Sequence, residues 1–530
     1  MTYIPTISIT VEDGNAHDKN HNEDDKIMKL KLRVRTLDLD AAGKTIAIIN
    51  KEDALDLGVR ALERIVLHKK KKKITVIVNI TPRFVKPGEI VVYNEVKEIL
   101  GLKNKDIVFA EPMEELVSKK YIRKKVEGGE LNYNEMRSII DDVIERDLND
   151  LEIAAFITAL QIRGLSVNEN AAMAKAMIDT SKKIKFSGVV VDKHSVGGIP
   201  GDKTSMLFVP IVAASGLTIP KTSSRSITSP AGTADRVEIL MPVDIGIDKI
   251  KKVVNKCNGC LVWGGSVDLA PADDLFIQIE HPLDFDPLLL PSVMSKKKVV
   301  DSKYLVIDIP TGPEAKIKTK EDAEKLARDF IELGKKLGIK VDCAITRGDQ
   351  PLGYAMGPAL EAREALENIM NVKHSHDLID KVTSLAGLLF KMIGKGNKYT
   401  AEKLLSSGAA EKKLRQIIEA QGGKADIMPD DIPYAKYKAE IKAPYSGIVA
   451  AISNHALVAA AKAAGAPKDK LAGILLNKKI EDVVKKGEVL FTIYAERKQR
   501  LKQALKIANA DAFSIFDHKK RKMLVEEVKR

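Results

Sequence analysis

Apolar and polar positions alternate through residues 28–110. Leu30-Leu32-Val34, Ile46-Ile48, Ile74-Val76-Val78 and Ile90-Val92 each put an apolar side chain at every second position, as a half-buried strand does. Short helical stretches near residues 52–57 and 94–100 interrupt this pattern, which predicts a β-rich N-terminal domain over 27–110. From Glu111 the period becomes helical. Asn132-Tyr133-Asn134-Glu135 reads as a helix entry, and residues 136–147, 151–162 and 168–177 carry apolar side chains at helical spacing, predicting a helical domain over 111–186. Beyond Val189, short β-branched runs (189–191, 217–220, 261–263, 304–309, 341–346) alternate with helical ones (250–255, 322–337, 357–369). That alternation predicts an α/β domain with a central sheet over 187–269 and 298–428. A helix within 402–421 closes on Gly422-Gly423. Residues 437–505 turn β-rich again and read as a C-terminal α+β module, joined through the Pro- and Asp-rich stretch 428–433. Residues 1–26 are polar, acidic and rich in His and Asn, and read as a disordered tail rather than a signal peptide.

Composition narrows the class. With 530 residues, 45% hydrophobic and 30% charged, the chain has the length for several globular domains. The formal charge of +13 invites a nucleic-acid reading, but aromatics are only 5% and the lysine excess is diffuse. Its one dense run, residues 69–73, reads as a solvated turn. The surplus suits anionic small substrates, and no nucleic-acid partner is expected. Three cysteines do not make an extracellular disulfide framework. Cys257 and Cys260 have CxxC spacing without a second pair, so no zinc site is expected and a helix-end turn with two ordinary thiols is; a redox pair or disulfide stays open. No apolar stretch is long enough to span a bilayer, so a cytoplasmic protein without membrane attachment is expected.

Two segments carry the candidate chemistry. Residues 192–205 read DKHSVGGIPGDKTS and residues 221–233 read KTSSRSITSPAGT; each follows a short apolar run. Glycines let backbone N–H groups approach an anion, hydroxyls add neutral donors, and Lys193, Lys203 and Arg225 supply charge. Either loop alone is equally a connecting turn. Two on one sheet point to a site for more than one anionic group. Neither matches a Walker A loop or a dinucleotide fingerprint.

Asp192-Lys193-His194-Ser195 with Gly197-Gly198, Ser223-x-Arg225, Gly232-Thr233-x-Asp235, Pro271-Ala272-Asp273 and the run 292–297 (SVMSKK) resemble the thymidine and pyrimidine-nucleoside phosphorylase family. The resemblance covers roughly residues 111–496. Within the family the chain is most similar to the archaeal AMP phosphorylases, which share an extra N-terminal domain and the run 220–225 (PKTSSR). It implies a helical domain and an α/β domain separated by a cleft, with residues 270–297 returning to the helical domain, and a homodimer or larger homo-oligomer. It also implies phosphorolysis: inorganic phosphate attacks C1′ of a ribosyl unit and expels the base. No cofactor is implied beyond phosphate as co-substrate, and no metal.

By the same resemblance, phosphate rests on Lys193, Ser195, Ser205, Ser223 and Thr233, with His194 beside it orienting the sugar or shuttling a proton. Ser292 and Lys296 face the base. His281 stands where nucleoside phosphorylases carry an arginine, and residues 287–292 are shorter than in the archaeal group. Asp286 is implied as proton donor to the leaving base, with Asp273, Asp274 and Asp284 as competing acids. A nucleotide also brings a 5′-phosphate, which requires a second anion grip. Ser224, Arg225, Ser226, Ile227, Thr228 and Ser229 offer one, Ser224 standing where nucleoside phosphorylases have glycine, and Gly198 and Lys316 complete the implied nucleotide contacts.

The expected activity is therefore phosphorolysis of AMP, or of CMP and UMP, to free base and ribose 1,5-bisphosphate in nucleotide salvage. A pyrimidine-nucleoside phosphorylase and a diphosphate- and magnesium-dependent phosphoribosyltransferase remain alternatives. A non-enzymatic RNA- or partner-binding role through the two β-rich modules is the reading from another class.

Overall fold

The computed structural model describes residues 29–41, 43–226, 229–267, 270–508 and 510–516. The expected tail over 1–26 lies outside them, as do Ile227 and Thr228. Residues up to Glu115 and from Leu116 onward form two compact units.

In the first unit the alternating segments close into a six-stranded barrel, so that no strand is left with an unpaired edge. Leu32, Ile49, Leu67, Val78, Ile90 and Val108 fill its interior. In the strand Ile46–Asn50 the inward face is Ala47 and Ile49, while Ile46 and Ile48 are half-buried on the other side. That run, IAIIN, is apolar on both faces, so alternation alone could not set its orientation. The lysine run makes the hairpin between strands Arg64–Lys69 and Lys72–Thr81. Lys69 donates to the carbonyl of Gly101 (2.6 Å) and to Asp106 (2.7 Å).

The second unit begins with four helices, Val117–Val126, Tyr133–Ile144, Asp150–Arg163 and Val167–Asp179. Three of them open on capping boxes, Asn132/Glu135, Asn149/Glu152 and Ser166/Glu169, each satisfying backbone donors that a helix start leaves free. Helices Pro271–Leu283 and Leu289–Val299 return to this bundle, where Phe276 packs on Phe156 with ring centroids 6.2 Å apart.

Five parallel strands form the α/β layer. Lys340–Arg347 pairs with Tyr304–Thr311, which pairs with Val191–Ser195. A single bridge, Val190 to Thr218, continues to Ile219–Ser223 and Gly259–Trp263. Helix Thr204–Ala214 is buried on every side, as its sequence TSMLFVPIVAA requires. The CxxC spans the turn between helix Ile247–Cys257 and strand Gly259–Trp263, with Asn258 in the left-handed region (φ 62°) and both thiols buried and unpaired.

The C-terminal strands form two antiparallel sheets, one of which takes Ala355–Met356 from the α/β region as its edge. No helix of the described residues is long and apolar enough to cross a membrane.

Candidate functional site

The loops of interest leave the carboxyl ends of adjacent parallel strands: 196–203 after Ser195, 224–232 after Ser223, and 312–319 after Thr311. Open α/β sheets bind ligands at this edge, because the backbone there turns N–H groups outward and helices begin beside them.

Beneath the first loop lies a layer of buried charge. Lys193 is 2% exposed, with its ammonium 4.0 Å from Asp202 and 3.9 Å from Asp308. Asp308, fully buried, accepts from Ser195 Oγ (2.8 Å) and Thr346 Oγ1 (2.6 Å) and pairs with Lys381 (2.9 Å). One layer deeper, Asp192 pairs with Lys297 (2.6 Å) and Lys221 (3.5 Å), and Lys221 donates to the carbonyl of Lys193 (2.8 Å). Burial drives the Lys221 ammonium down to about 7, with Asp192 opposing. Burial opposes ionisation of Asp202 too, but Lys193 and Lys381 outweigh it and hold the carboxyl far below its usual range. His194 is pushed well below the ordinary imidazole value, first by burial and then by Lys297, Lys221, Lys296 and Lys193. The imidazole is thus neutral at physiological pH, beside ammonium groups that attract an anion. Ser205 is buried in the first turn of helix Thr204–Ala214.

The second loop is held closed by one carboxylate. Asp235 accepts the backbone N–H groups of Ser226 (2.7 Å) and Gly232 (2.9 Å). A side chain at Gly232 would collide with the backbone of Arg225 and Ser226, so only glycine permits this closure. Thr233 opens the short helix Thr233–Val237, and Ser226 Oγ bonds to the carbonyl of Ser229. Ser223 Oγ donates to Val262 O (3.2 Å), and Ser224 is exposed. The Arg225 guanidinium forks onto Glu238 (2.9 and 2.6 Å), touches Asp235 (3.3 Å) and lies 5.1 Å from the Trp263 ring centroid. Arg225, ahead of Lys470, holds Glu238 down at about 2.

The third group joins the α/β layer to the returning helices. Gly198, at φ +94°, lies against the backbone of Lys316, and any side chain there would meet it. Lys316 reaches Asp286 as an ion pair. Asp286 follows a helix-ending turn in which Asp284 is left-handed (φ 54°), with Phe285 N–H bonded to Glu280 O (3.1 Å) and Asp284 N–H to His281 O (3.1 Å). Lys296 donates to Ser292 Oγ (3.3 Å) and pairs with the buried Asp273 (2.5 Å). His281 is exposed.

Sequence-expected residues therefore meet in three clusters: Lys193, His194 and Ser195 with their buried counter-charges; Arg225, Ser226 and Ser229 in the stapled loop; and Gly198, Lys316, Asp286, Ser292 and Lys296 at the helical side. Sequence reading assigned no role to Asp308, Lys381, Lys221, Lys297 or Glu238, or to Glu280. Asp308 and Lys381 are remote in sequence from the loop they support, and no local pattern marks them. Asp235 did carry a signal, an acid at the third position of a helix after Gly-Thr. Glu280 is seven residues beyond Asp273 on one helix face, a spacing legible only once that face is known to be buried.

Comparison with known proteins agrees with this layout. Residues 119–181 match the model of a glycosyl transferase family helical bundle domain, and 187–411 that of its a/b domain. Residues 448–512 match the pyrimidine nucleoside phosphorylase C-terminal domain. The chain is 45% identical over 506 residues to the AMP phosphorylase of Methanocaldococcus jannaschii, covering 94% of this chain and 99% of that one. It is 46% identical over 486 residues to the AMP phosphorylase of Thermococcus kodakarensis, covering 90% and 96%. Among solved structures it is similar to anthranilate phosphoribosyltransferase from Thermus thermophilus, with TM-score 0.48 and 18% identity over 57% of this chain and 99% of that one.

Proposed function

Because the chain belongs to the AMP phosphorylases, we propose that it transfers ribose 5-phosphate from adenine to inorganic phosphate, releasing adenine and ribose 1,5-bisphosphate. The observation that carries this reading is a pair of anion-adapted loops on one sheet edge: 196–203 above a buried lysine layer, and 224–232 closed by Asp235.

The attacking phosphate lies on Lys193, Ser195, Ser205, Ser223 and Thr233. Ser195 Oγ donates to Asp308 in this structure, so its proton turns from Asp308 to the phosphate when the anion binds. The neutral His194 orients the ribose beside it. The 5′-phosphate takes the loop 224–229, with Gly198 and Lys316 against the nucleotide and Ser292 and Lys296 at the base. As the bond from C1′ to the base nitrogen lengthens, its electron pair moves into the base and a phosphate oxygen closes on C1′. A proton passing through Asp286 prevents an anionic leaving group. Phosphate is the sole co-substrate and no cofactor is required. The enzyme works as a homodimer or larger homo-oligomer, for which the exposed Leu151 and Ile162 of one bundle helix are candidate contacts. Three cysteines in 530 residues suit a reducing, cytoplasmic compartment.

Phosphate-dependent base release from AMP, CMP, UMP, adenosine and thymidine tests the reading. A kcat/KM for AMP about 100-fold or more above that for adenosine, insensitive to EDTA, is expected from a second anion grip. Turnover of thymidine alone, or a requirement for diphosphate and magnesium, refutes it.

A further inference from the structure

Asp286 is ion-paired with Lys316, and a carboxylate beside an ammonium is held in its ionised form. As it stands it has no proton to give to a departing base. A carboxyl built to hold one is Glu280, six residues before Asp286 in the last turn of helix Pro271–Leu283. Only 6% of Glu280 is exposed, and its Oε1 has no hydrogen-bond partner. The backbone N–H of Leu288 faces the carboxyl, and the Glu280 carbonyl holds Phe285 N–H, so the turn carrying Asp286 wraps around this side chain.

We propose that Glu280 is the proton store of the site, acting through Asp286. This rests on the phosphorolytic reading above and extends it. The anionic nucleotide draws Lys316 away from Asp286, which then takes the proton from Glu280. The Asp286 O–H bond breaks as the C1′–N bond does, and the proton ends on the base nitrogen. Phosphate, on forming its C1′–O bond, loses a proton that returns to the Glu280 carboxylate, so the enzyme ends each cycle unchanged.

The electrostatics suit the role. Burial, and then Asp273 on the same helix, push the Glu280 carboxyl up to about 7; Leu288 N–H, Lys316 from the loop after strand Tyr304–Thr311 and Lys296 from helix Leu289–Val299 pull the other way. Asp284 in the following turn shares Lys316 with Glu280. A folded-state value above the ordinary 4.5 means that the fold favours the protonated form: its contribution is complete below 4.5 and lost as pH rises through about 7.

Glu280→Gln in the full chain tests the proposal, because the amide oxygen still accepts from Leu288 while the titratable proton is gone. The wild type is assayed first: absence of AMP phosphorolysis refutes the functional reading itself. With turnover present, Glu280→Gln is expected to leave KM for AMP within about threefold and lower kcat by about 10- to 100-fold. It should also abolish the alkaline limb of kcat near pH 7. Its Tm at pH 8 should exceed the wild-type value, since no carboxylate is then forced to ionise in the interior. Glu280→Asp should retain that limb and recover part of the rate. A kcat matching wild type, or a limb that persists in Glu280→Gln, overturns the proposal while leaving the assigned reaction intact.

Discussion

Arg225, proposed to read the 5′-phosphate, is held by two carboxylates that such a ligand has to displace. Its guanidinium is shared between Glu238 and Asp235 and lies near the Trp263 ring, so its rotamer is fixed although 34% of the side chain is exposed. A phosphate that takes over one face of the fork gains charge-assisted bonds of about 1.5–3 kcal/mol without paying to order a free side chain. Arg225→Ala should therefore lower kcat/KM for AMP by about 10- to 100-fold while changing residual turnover of adenosine by less than about threefold. Parallel kinetics on the two substrates check this, and equal losses would remove Arg225 from 5′-phosphate recognition. The residue could be picked out in sequence because it sits amid hydroxyls after a strand. Its tie to Glu238 could not, since an acid thirteen positions on in a helical segment looks like any solvated side chain. His194 illustrates the same limit. Its place in the loop was legible, whereas its neutrality depends on burial and then on Lys297, Lys221, Lys296 and Lys193, contributed by three different elements.

Elements were more legible than their connections. Alternation, the Asn132–Glu135 helix entry and apolar runs announced many strands and helices because each is a local consequence of which face is buried. The failure at Ile46–Asn50 has the same cause in reverse: a strand apolar on both faces carries no orientation signal. The loop 224–232 could be picked out as a candidate anion grip, but its closure depends on Asp235, which works as a helix-start acid and a loop staple together. Two backbone N–H groups depend on that carboxylate, and Arg225 and Lys470 (3.9 Å) share it. Asp235→Ala should therefore cost about 2–4 kcal/mol of stability, from two donors left unpaired in a half-buried loop, and raise KM for AMP by on the order of 100-fold. Urea unfolding and steady-state kinetics measure the two effects separately. A stable variant with unaltered KM would mean that the loop keeps its shape without the staple.

At the scale of the whole molecule, the C-terminal module is tied to both loops proposed to take the nucleotide. It shares a sheet with Ala355–Met356, and its Lys479 donates to Gly353 O (2.9 Å) and pairs with Asp377 (2.9 Å), which fixes it against the α/β layer. From that footing it reaches both loops assigned to the nucleotide. Lys470 pairs with Glu238 (2.7 Å), the partner of Arg225. Glu314, two residues before Lys316, accepts from Ser453 Oγ (3.0 Å) and His455 N–H (2.8 Å) at the start of helix Asn454–Ala464, so that helix and the Lys316 loop hold each other. A half-exposed ion pair is worth about 1 kcal/mol at most, and a charged cap about the same, so each tie should tune the site rather than make it. Lys470→Met should raise KM for AMP by up to about fivefold by leaving Glu238 to compete with the 5′-phosphate for Arg225. Glu314→Gln should do likewise through the position of Lys316, with kcat nearly unchanged in both. Because the two ties act on different loops, the double variant should multiply the KM effects, giving up to about 25-fold. Wild-type KM in the double variant would reduce the module to a structural support, and a loss well short of multiplicative would mean that the two loops move as one body.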